Sequence, residues 1–286
     1  MHNGMNEAEL LFTDILNCDR LSLYLNRDLK LGKDKTRLIS SALKRRFSSE
    51  PIQYILSKAE FMGLSFKVTP DVFIPRPETE ILVETVTELA SGIRVKASGI
   101  NILELGTGSG CIAVSLAKYL PDVKITATDI FQEALEVAKD NALLNKVSER
   151  INFINSDLYT QCVCSCGTSR CGNTQYDMIV SNPPYIATGD LDNLQPEVRY
   201  EPRSALDGGE DGLDFHRRII ALAPDFLKQD GFLIMEIGFN QKRAVEGIFK
   251  NSGGFQILKV IKDYNNINRV IVGVKKFNPP RRNPRG

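Results

Sequence analysis

Ile102-Leu103-Glu104-Leu105-Gly106-Thr107-Gly108-Ser109-Gly110 is a short apolar run that breaks into glycines at every second position. The run predicts a strand ending at Leu105, and the glycines open a helix over Gly110–Tyr119. Glycine lets the backbone turn sharply there and lets a ligand approach with no Cβ in the way. The place is the crevice at the carboxyl ends of the strands, where open α/β sheets bind ligands. The spacing is G-x-G-x-G. A dinucleotide fingerprint would be G-x-G-x-x-G, and Cys111 stands where its last glycine belongs. Asp129 ends the next strand, where a carboxylate can accept both hydroxyls of a ribose. A bare strand–helix turn without ligand is the plainer alternative, and the flanking strand, helix and Asp129 weigh against it. Asp157, after the third strand, stands where an adenine amino group could be held, although Asp also simply favours turns.

Outward from that turn the chain alternates. Strands are predicted at Asn101–Leu105, Lys124–Thr128, Ile151–Ile154, Met178–Val180 and Phe232–Ile237, with Phe255–Ile261 and Val270–Val274 closing the chain. Helices are predicted at Gln132–Asn145, Phe215–Lys228 and Arg243–Asn251, besides the one at Gly110. Such alternation implies a mostly parallel sheet covered on both faces, and the two closing strands suggest an antiparallel edge. Ahead of it, Glu7–Leu16, Ser22–Leu25 and Thr36–Phe47 carry helical periodicity, with Asp34 and Thr36 near a helix start. Phe61-Met62-Gly63-Leu64-Ser65-Phe66 reads as a hairpin about Gly63. Pro70, Pro75 and Pro77 then punctuate the chain, and Pro77 suits the start of a helix over Glu80–Ala90. The boundary is expected near Ile74, giving a helical part with its hairpin at 1–74 and an α/β part at 75–286.

The fourth strand runs into Ser181-Asn182-Pro183-Pro184-Tyr185. Two prolines remove two backbone donors and fix φ twice, so the loop is stiff. The Asn182 side chain and the Pro183 carbonyl offer two acceptors, and Tyr185 offers a flat apolar wall. Such a slot can grip a planar NH2 group. Accepting both its hydrogens orients an amide and stabilises the positive charge that develops when its nitrogen attacks. With a methyl sulfonium as donor the transfer is an in-line displacement, and alignment supplies much of the acceleration. A purely structural Pro-Pro loop is the alternative, and the neighbouring glycine turn disfavours it.

Composition bounds the rest. The 286 residues are 42% hydrophobic and 25% charged, which is globular. Thirty-six basic against 35 acidic residues leave a formal charge of +1, so a duplex-coating protein is not expected. The start shows no basic region followed by an apolar stretch, and no run of 18 apolar residues occurs, so neither export nor a membrane span is expected. Six Cys, four of them in one short stretch, make no disulfide framework for a chain this long, which points to a reducing cytoplasm. Two His cannot readily build a metal site or a Ser-His-Asp triad.

These motifs together resemble the HemK/PrmC proteins, the methyltransferases that modify the glutamine of the Gly-Gly-Gln motif in class-1 peptide chain release factors. The resemblance spans most of the chain. It includes Glu50–Ile55, Phe73-Ile74-Pro75-Arg76-Pro77-Glu78-Thr79-Glu80, the glycine turn, Asn182–Tyr185, Glu197–Pro202, Gly208-Gly209 and Asp211-Gly212-Leu213. Asn-Pro-Pro-Tyr is shared with adenine-N6 and other amino methyltransferases, whereas Ile-Pro-Arg-Pro and the helical front single out this family. The resemblance implies a Rossmann-like S-adenosylmethionine-dependent methyltransferase domain with a mostly parallel seven-stranded sheet, preceded by a small helical N-terminal domain that seats the release factor. It implies S-adenosyl-L-methionine bound by Gly106, Thr107, Gly108, Ser109, Gly110, Asp129 and Asn182, to which the position of Asp157 adds a candidate adenine contact. It implies a glutamine amide held by Asn182 and Pro183 and shaped by Pro184 and Tyr185, with N5-methylglutamine as product and no metal. A monomer in the cytoplasm, without a stable nucleic-acid partner, is expected.

There are departures. Leu158 stands where relatives often carry an aromatic residue. Asp263–Arg269 has Asn266 where the family favours Gly; Asn tolerates a left-handed turn, and the loop is expected to lie away from the chemistry. Cys162, Cys164, Cys166 and Cys171 form C-x-C-x-C-x4-C, which reads as an exposed insertion more than as a zinc site. Cys18 and Cys111 read as small packed residues. Lys44–Arg46 reads as a solvated helix face, His216 as a surface residue without a role, and Arg76 and Glu80 either as wall residues or as helix caps. The main alternative is an adenine-N6 nucleic-acid methyltransferase, which would need a basic groove and aromatic platforms for a flipped base. An NAD-dependent dehydrogenase is disfavoured by the glycine spacing, and a non-catalytic binding protein by the complete acceptor set.

Overall fold

The computed structural model describes residues 5–25, 30–92, 99–160 and 175–276. The cysteines of the 162–171 cluster and the Pro-rich tail lie outside the described residues. Helices α1 (Glu7–Leu16), α2 (Arg20–Leu25), α3 (Lys33–Phe47) and α4 (Ile52–Leu56) make the front of the chain. α1 starts in a capping box: Asn6 accepts from the Glu9 amide at 2.9 Å, and Glu9 accepts from the Asn6 amide at 2.8 Å. Leu11, Ala42 and Ile52 bury the small core these helices share. α4 had no periodicity of its own in the sequence; its five residues are too few to show one.

The expected hairpin is strands β1 (Lys58–Phe61) and β2 (Leu64–Lys67), paired antiparallel. Met62 and Gly63 both take positive φ, 52° and 68°, the two-residue turn that matches strand twist. Phe61 and Phe66 meet edge to face at 6.1 Å and belong to the core of the main sheet, not to that of the front helices. The hairpin is therefore the joint between the two parts.

Helix α5 (Pro77–Gly92) begins on Pro77, whose missing N–H costs nothing at a first helical position. Then follow β3 (Ile100–Leu105), α6 (Cys111–Tyr119), β4 (Val123–Asp129), α7 (Gln132–Leu144), β5 (Ile151–Asn155), β6 (Tyr176–Ser181), α8 (Asp214–Phe226), β7 (Leu227–Glu236), α9 (Lys242–Ser252), β8 (Phe255–Lys262) and β9 (Asn268–Lys275). The sheet order is β5-β4-β3-β6-β7-β9-β8. β5, β4, β3, β6 and β7 run parallel, and β9 is antiparallel to both its neighbours. This is the expected α/β architecture with seven strands. The last strand enters between β7 and β8, so the edge belongs to β8.

Successive strand residues serve opposite faces. Ile102, Met178, Val180 and Ile234 pack in one core with Leu82 and Val86 of α5 and Val114 of α6. Leu103, Leu105, Ile179, Leu233 and Met235 pack in the other with Ile219 of α8 and Phe249 of α9. Strand order reverses between β3 and β6, which opens a crevice above their carboxyl ends. Among the described residues no helix is long and apolar enough to cross a membrane.

One buried side chain ties the hairpin to this crevice. Asn141 of α7 is fully buried; it accepts from the Lys67 amide at 2.7 Å and donates to the carbonyls of Lys67 and Ser109 at 2.9 and 2.8 Å. Replacing it with alanine strands these backbone groups away from water. Asn141→Ala is expected to lower the unfolding free energy by about 2–4 kcal/mol in a denaturant titration.

Candidate active site

The glycine turn is built as the spacing requires. Gly106, Gly108 and Gly110 all have positive φ, at 73°, 53° and 79°. The amides of Gly106 and Thr107 donate to the Thr128 carbonyl at 2.9 and 2.8 Å, which pins the turn to the end of β4. The Gly108 amide donates to Asp129 Oδ2 at 2.8 Å, and Phe131 donates to Oδ1 at 3.1 Å. A Cβ at Gly106 or Gly108 would meet open space, whereas one at Gly110 would lie 3.0 Å from the Ala138 side chain. The first two glycines thus serve backbone approach to whatever fills the cavity. Gly110 serves the contact between the start of α6 and α7.

A cavity of about 940 Å³ lies over this turn. Gly106, Thr107, Gly108, Ser109, Asp129, Asp157, Asn182, Pro183, Pro184 and Tyr185 all line it. Gly110, next in the chain, packs against Ala138 of α7. Asp129 is nearly buried, and burial raises its carboxyl above the usual range while the backbone donors pull it down. Each of its oxygens keeps acceptor capacity beyond one backbone bond. Asp157 is half-exposed and pairs with Arg218 at 2.7 Å, whose guanidinium lies 5.7 Å from the Phe215 ring centre.

The Asn-Pro-Pro-Tyr loop leaves β6 beside the turn. Asn182 Nδ2 donates to Thr79 Oγ1 at 3.1 Å. Among the described residues no donor engages Asn182 Oδ1 or the Pro183 carbonyl. Tyr185 donates its hydroxyl to Glu236 Oε1 at 3.3 Å, and its carbonyl accepts from Gln241 Nε2 at 2.9 Å. The loop is hemmed so closely that glycine is required beside it. A Cβ at Gly208 would lie 2.8 Å from the Pro184 carbonyl, and one at Gly238 2.9 Å from the Tyr185 ring. Gly208-Gly209 therefore belongs to the motif for steric reasons.

Distant motifs meet here. Arg76 pairs with Glu201, whose other oxygen accepts from the Ile74 amide at 3.0 Å, and Arg76 stacks 4.7 Å over Phe73. Arg76 is thus a wall residue. Glu80 is not: it accepts from the Met62 amide at 2.6 Å and holds the hairpin turn. Arg45 pairs with Glu50, and Arg46 pairs with Glu7 and with Glu197, so the two arginines of this basic run are ion-paired, while Lys44 is exposed.

Several site residues gave no sufficient signal. Thr79 and Glu236 are buried and bonded at 2.7 Å, which only packing of α5 against the tip of β7 could reveal. Glu104, directly before the glycine turn, is a buried acid within a strand, and that was a usable signal. Its Oε2 accepts from Thr107 at 2.7 Å, its Oε1 has no partner among the described residues, and burial pushes its pKa up to about 8. Arg269 lines the cavity, which corrects the expectation that its loop lies away from the chemistry. Asn266 there takes φ 64°, the left-handed turn expected of it, and Asp263 accepts from Arg269 at 2.9 Å. His216 is fully buried, correcting the surface reading. Its Nε2 donates to the Glu236 carbonyl at 3.0 Å, while Nδ1 has no partner among the described residues.

S-adenosylmethionine suits this site. The open glycine cradle admits a close approach, and the buried acids Asp129 and Glu236 on the cavity wall make surroundings that a cationic ligand compensates.

The comparisons with known proteins agree. A family model described as Methyltransferase small domain matches residues 76–196, and one described as PrmC N-terminal domain matches residues 2–56. A release factor glutamine methyltransferase of Geobacter sulfurreducens is 40% identical over 274 residues, covering 96% of this chain and 90% of that protein. One of Fusobacterium nucleatum is 38% identical, covering 96% and 74%. A solved methyltransferase of Pyrococcus furiosus superposes with TM-score 0.54 at 20% identity, covering 83% of this chain and all of that one. The N-terminal domain of human METTL16 in complex with SAH superposes with TM-score 0.54 at 18% identity, covering 74% and 75%. These two establish the fold.

Burial lowers the pKa of His216 to about 4, so the folded state resists its protonation. This contribution to stability is full above about pH 6.5 and is lost as pH falls toward about 4. Over that window the wild type is expected to lose about 3 kcal/mol more than His216→Gln, measured by denaturant unfolding at each pH.

Proposed function

The chain belongs to the release factor glutamine methyltransferase family, and on that premise we propose how its residues carry the reaction. The activity is methylation of a glutamine side-chain amide in a release factor, with S-adenosylmethionine as donor. The acceptor is the glutamine of the Gly-Gly-Gln motif in class-1 release factors, and the product is N5-methylglutamine. The observation that carries this reading is the pair of acceptors, Asn182 Oδ1 and the Pro183 carbonyl, on the cavity that the glycine turn also lines.

Gly106, Thr107, Gly108 and Ser109 form the cradle for the cofactor, Asp129 accepts from ribose hydroxyls, and Asp157 stands at the adenine end. Bound there, S-adenosylmethionine supplies an electrophilic methyl on a cationic sulfur. Asn182 and Pro183 each accept one N–H of the glutamine amide and hold its nitrogen in the line of attack. Pro184 and Tyr185 wall the slot against water. As the N–C bond forms and the S–C bond breaks, positive charge grows on nitrogen, and the two acceptors stabilise it. The extra proton leaves to water afterwards, so no strong base is needed. Residues 1–74 act as the release-factor recognition part, with the hairpin as joint, and 75–286 as the catalytic part. The enzyme works in the cytoplasm as a monomer without a stable nucleic-acid partner. The curated relatives, named for release factors, do not favour the adenine-N6 alternative.

The test offers labelled S-adenosylmethionine with a full-length release factor, its Gln-to-Ala variant at Gly-Gly-Gln, and a nucleic-acid pool, and maps the methyl by mass spectrometry. Methyl is expected on that glutamine alone; label in nucleic acid with the release factor untouched would sink the reading. Asn182→Ala is expected to lower kcat about 100-fold or more while the fold persists by circular dichroism. Asp129→Ala is expected to weaken S-adenosylhomocysteine binding about 30-fold in calorimetry, leaving the release-factor affinity unchanged.

A further inference from the structure

Asn182 can serve as an acceptor only if its side-chain amide faces one way. We propose that Glu236, acting through Thr79, fixes that orientation, and that this chain of hydrogen bonds lets the slot tell a glutamine amide from a glutamate carboxylate. The proposal rests on the reading of Asn182 as the amide acceptor.

Glu236 is the last residue of β7 and is 1% exposed. Its Oε2 accepts from Thr79 Oγ1 at 2.7 Å, and its Oε1 accepts from the Tyr185 hydroxyl at 3.3 Å. An ionised carboxylate only accepts. Thr79 has one hydroxyl hydrogen, and Glu236 takes it. What Thr79 offers Asn182 at 3.1 Å is therefore a lone pair, and only the NH2 end of the amide can use it. The oxygen end is left to the cavity. Oxygen and nitrogen of an amide have nearly the same shape, so sterics alone does not choose between them. The direction is enforced from the buried acid outward.

The consequence is chemical selectivity. With oxygen outward, the slot pairs acceptors against the two hydrogens of a glutamine NH2. A glutamate at the same place would bring lone pairs against lone pairs. With the amide turned over, the slot would oppose NH2 to NH2, misplace the nucleophile and welcome a carboxylate. Thr79 and Glu236 are positioning residues: they act on the reaction through Asn182.

The groups facing Glu236 bear on when the relay holds. Glu78 and Thr79 approach from α5, Cys111 from α6, Tyr185 from the loop after β6, Arg269 from β9, and His216 of α8 donates to its backbone carbonyl. Burial and Glu78 raise its pKa while Thr79, Arg269 and Tyr185 lower it, leaving it at about 7. Once protonated, the acid can donate to Thr79. The Thr79 hydrogen is then free to meet Asn182 Oδ1, and the amide turns. Catalysis is thus lost as pH falls through this group and is full above it.

The test compares Thr79→Val, which keeps the shape and removes the relay, with Thr79→Ser, which keeps the hydroxyl. Methyl transfer to a release factor is followed from about pH 5.5 to 8.5, and the Gln-to-Glu release factor is used as competitive inhibitor. For Thr79→Val, kcat is expected to fall about tenfold or more with KM for S-adenosylmethionine within about twofold. Its acidic limb flattens, and the Gln-to-Glu release factor inhibits it better than it inhibits the wild type. Thr79→Ser keeps the wild-type values. A Thr79→Val enzyme with wild-type kcat and wild-type discrimination overturns the proposal. So does one that loses rate, cofactor affinity and melting temperature together while keeping the acidic limb, for that marks a structural role only. If Asn182→Ala retains full activity, it is the slot itself that fails, and that outcome is distinct from a failed relay behind an essential Asn182.

Discussion

Ser181 donates its hydroxyl to the Leu105 carbonyl at 2.8 Å, and this buried bond joins the last residues of the two strands from which the functional loops leave. The same two residues are register partners in the parallel pairing of β3 and β6. The glycine turn therefore starts level with the Asn-Pro-Pro-Tyr loop. Neither loop can slide against the other without breaking the ladder, because a shift of one residue would exchange the faces of both strands. The two loops are brought level by this alignment of strand tips, before any side chain of either loop is considered.

The strand ends near the cavity carry buried acids that a sheet centre would ordinarily exclude. Glu104 lies at 0% exposure and Glu236 at 1%, and desolvation raises both. Neighbours relieve them unequally. Glu236 receives two hydroxyl donors and the field of Arg269, whereas Glu104 receives one hydroxyl and keeps an oxygen without a partner among the described residues. Such imbalance is tolerable where a cationic ligand completes the surroundings. It is the usual mark of a site shaped for its ligand rather than for its own stability.

The long connection from Asn182 to Leu213 carries no strand and is held from outside. Glu197 meets Arg46, the Tyr200 hydroxyl donates to the Ser48 carbonyl at 2.6 Å, and Glu201 clamps Arg76 and the Ile74 amide. Two of these partners sit at the end of α3, and the others in the segment that follows the hairpin. The front helices and the slot are thus two ends of one braced connection. The front helices and the loop are thereby coupled by a few directional bonds rather than by a continuous apolar core.

Much of this was legible in the residues. The alternation of strands and helices, the turn at Ile102–Gly110 and the stiff loop at Asn182–Tyr185 follow from period, glycine and proline, which are local properties of a chain. The hairpin at Met62–Gly63 and the left-handed turn at Asn266 were legible for the same reason. What the sequence could not express was contact between distant residues. Nothing local sets Thr79 against Glu236, buries His216 beneath the tip of β7, turns Arg269 toward the cavity or packs Gly110 against Ala138. Those facts depend on the order of strands in the sheet and on which helix covers which face. Hydrophobic period specifies that a face is buried but not what buries it. The sequence by itself determined the fold class and the two loops that line the cavity; the tertiary structure alone decided that the Asn182 amide bonds Thr79 and that Thr79 bonds Glu236, because those contacts join segments more than fifty residues apart.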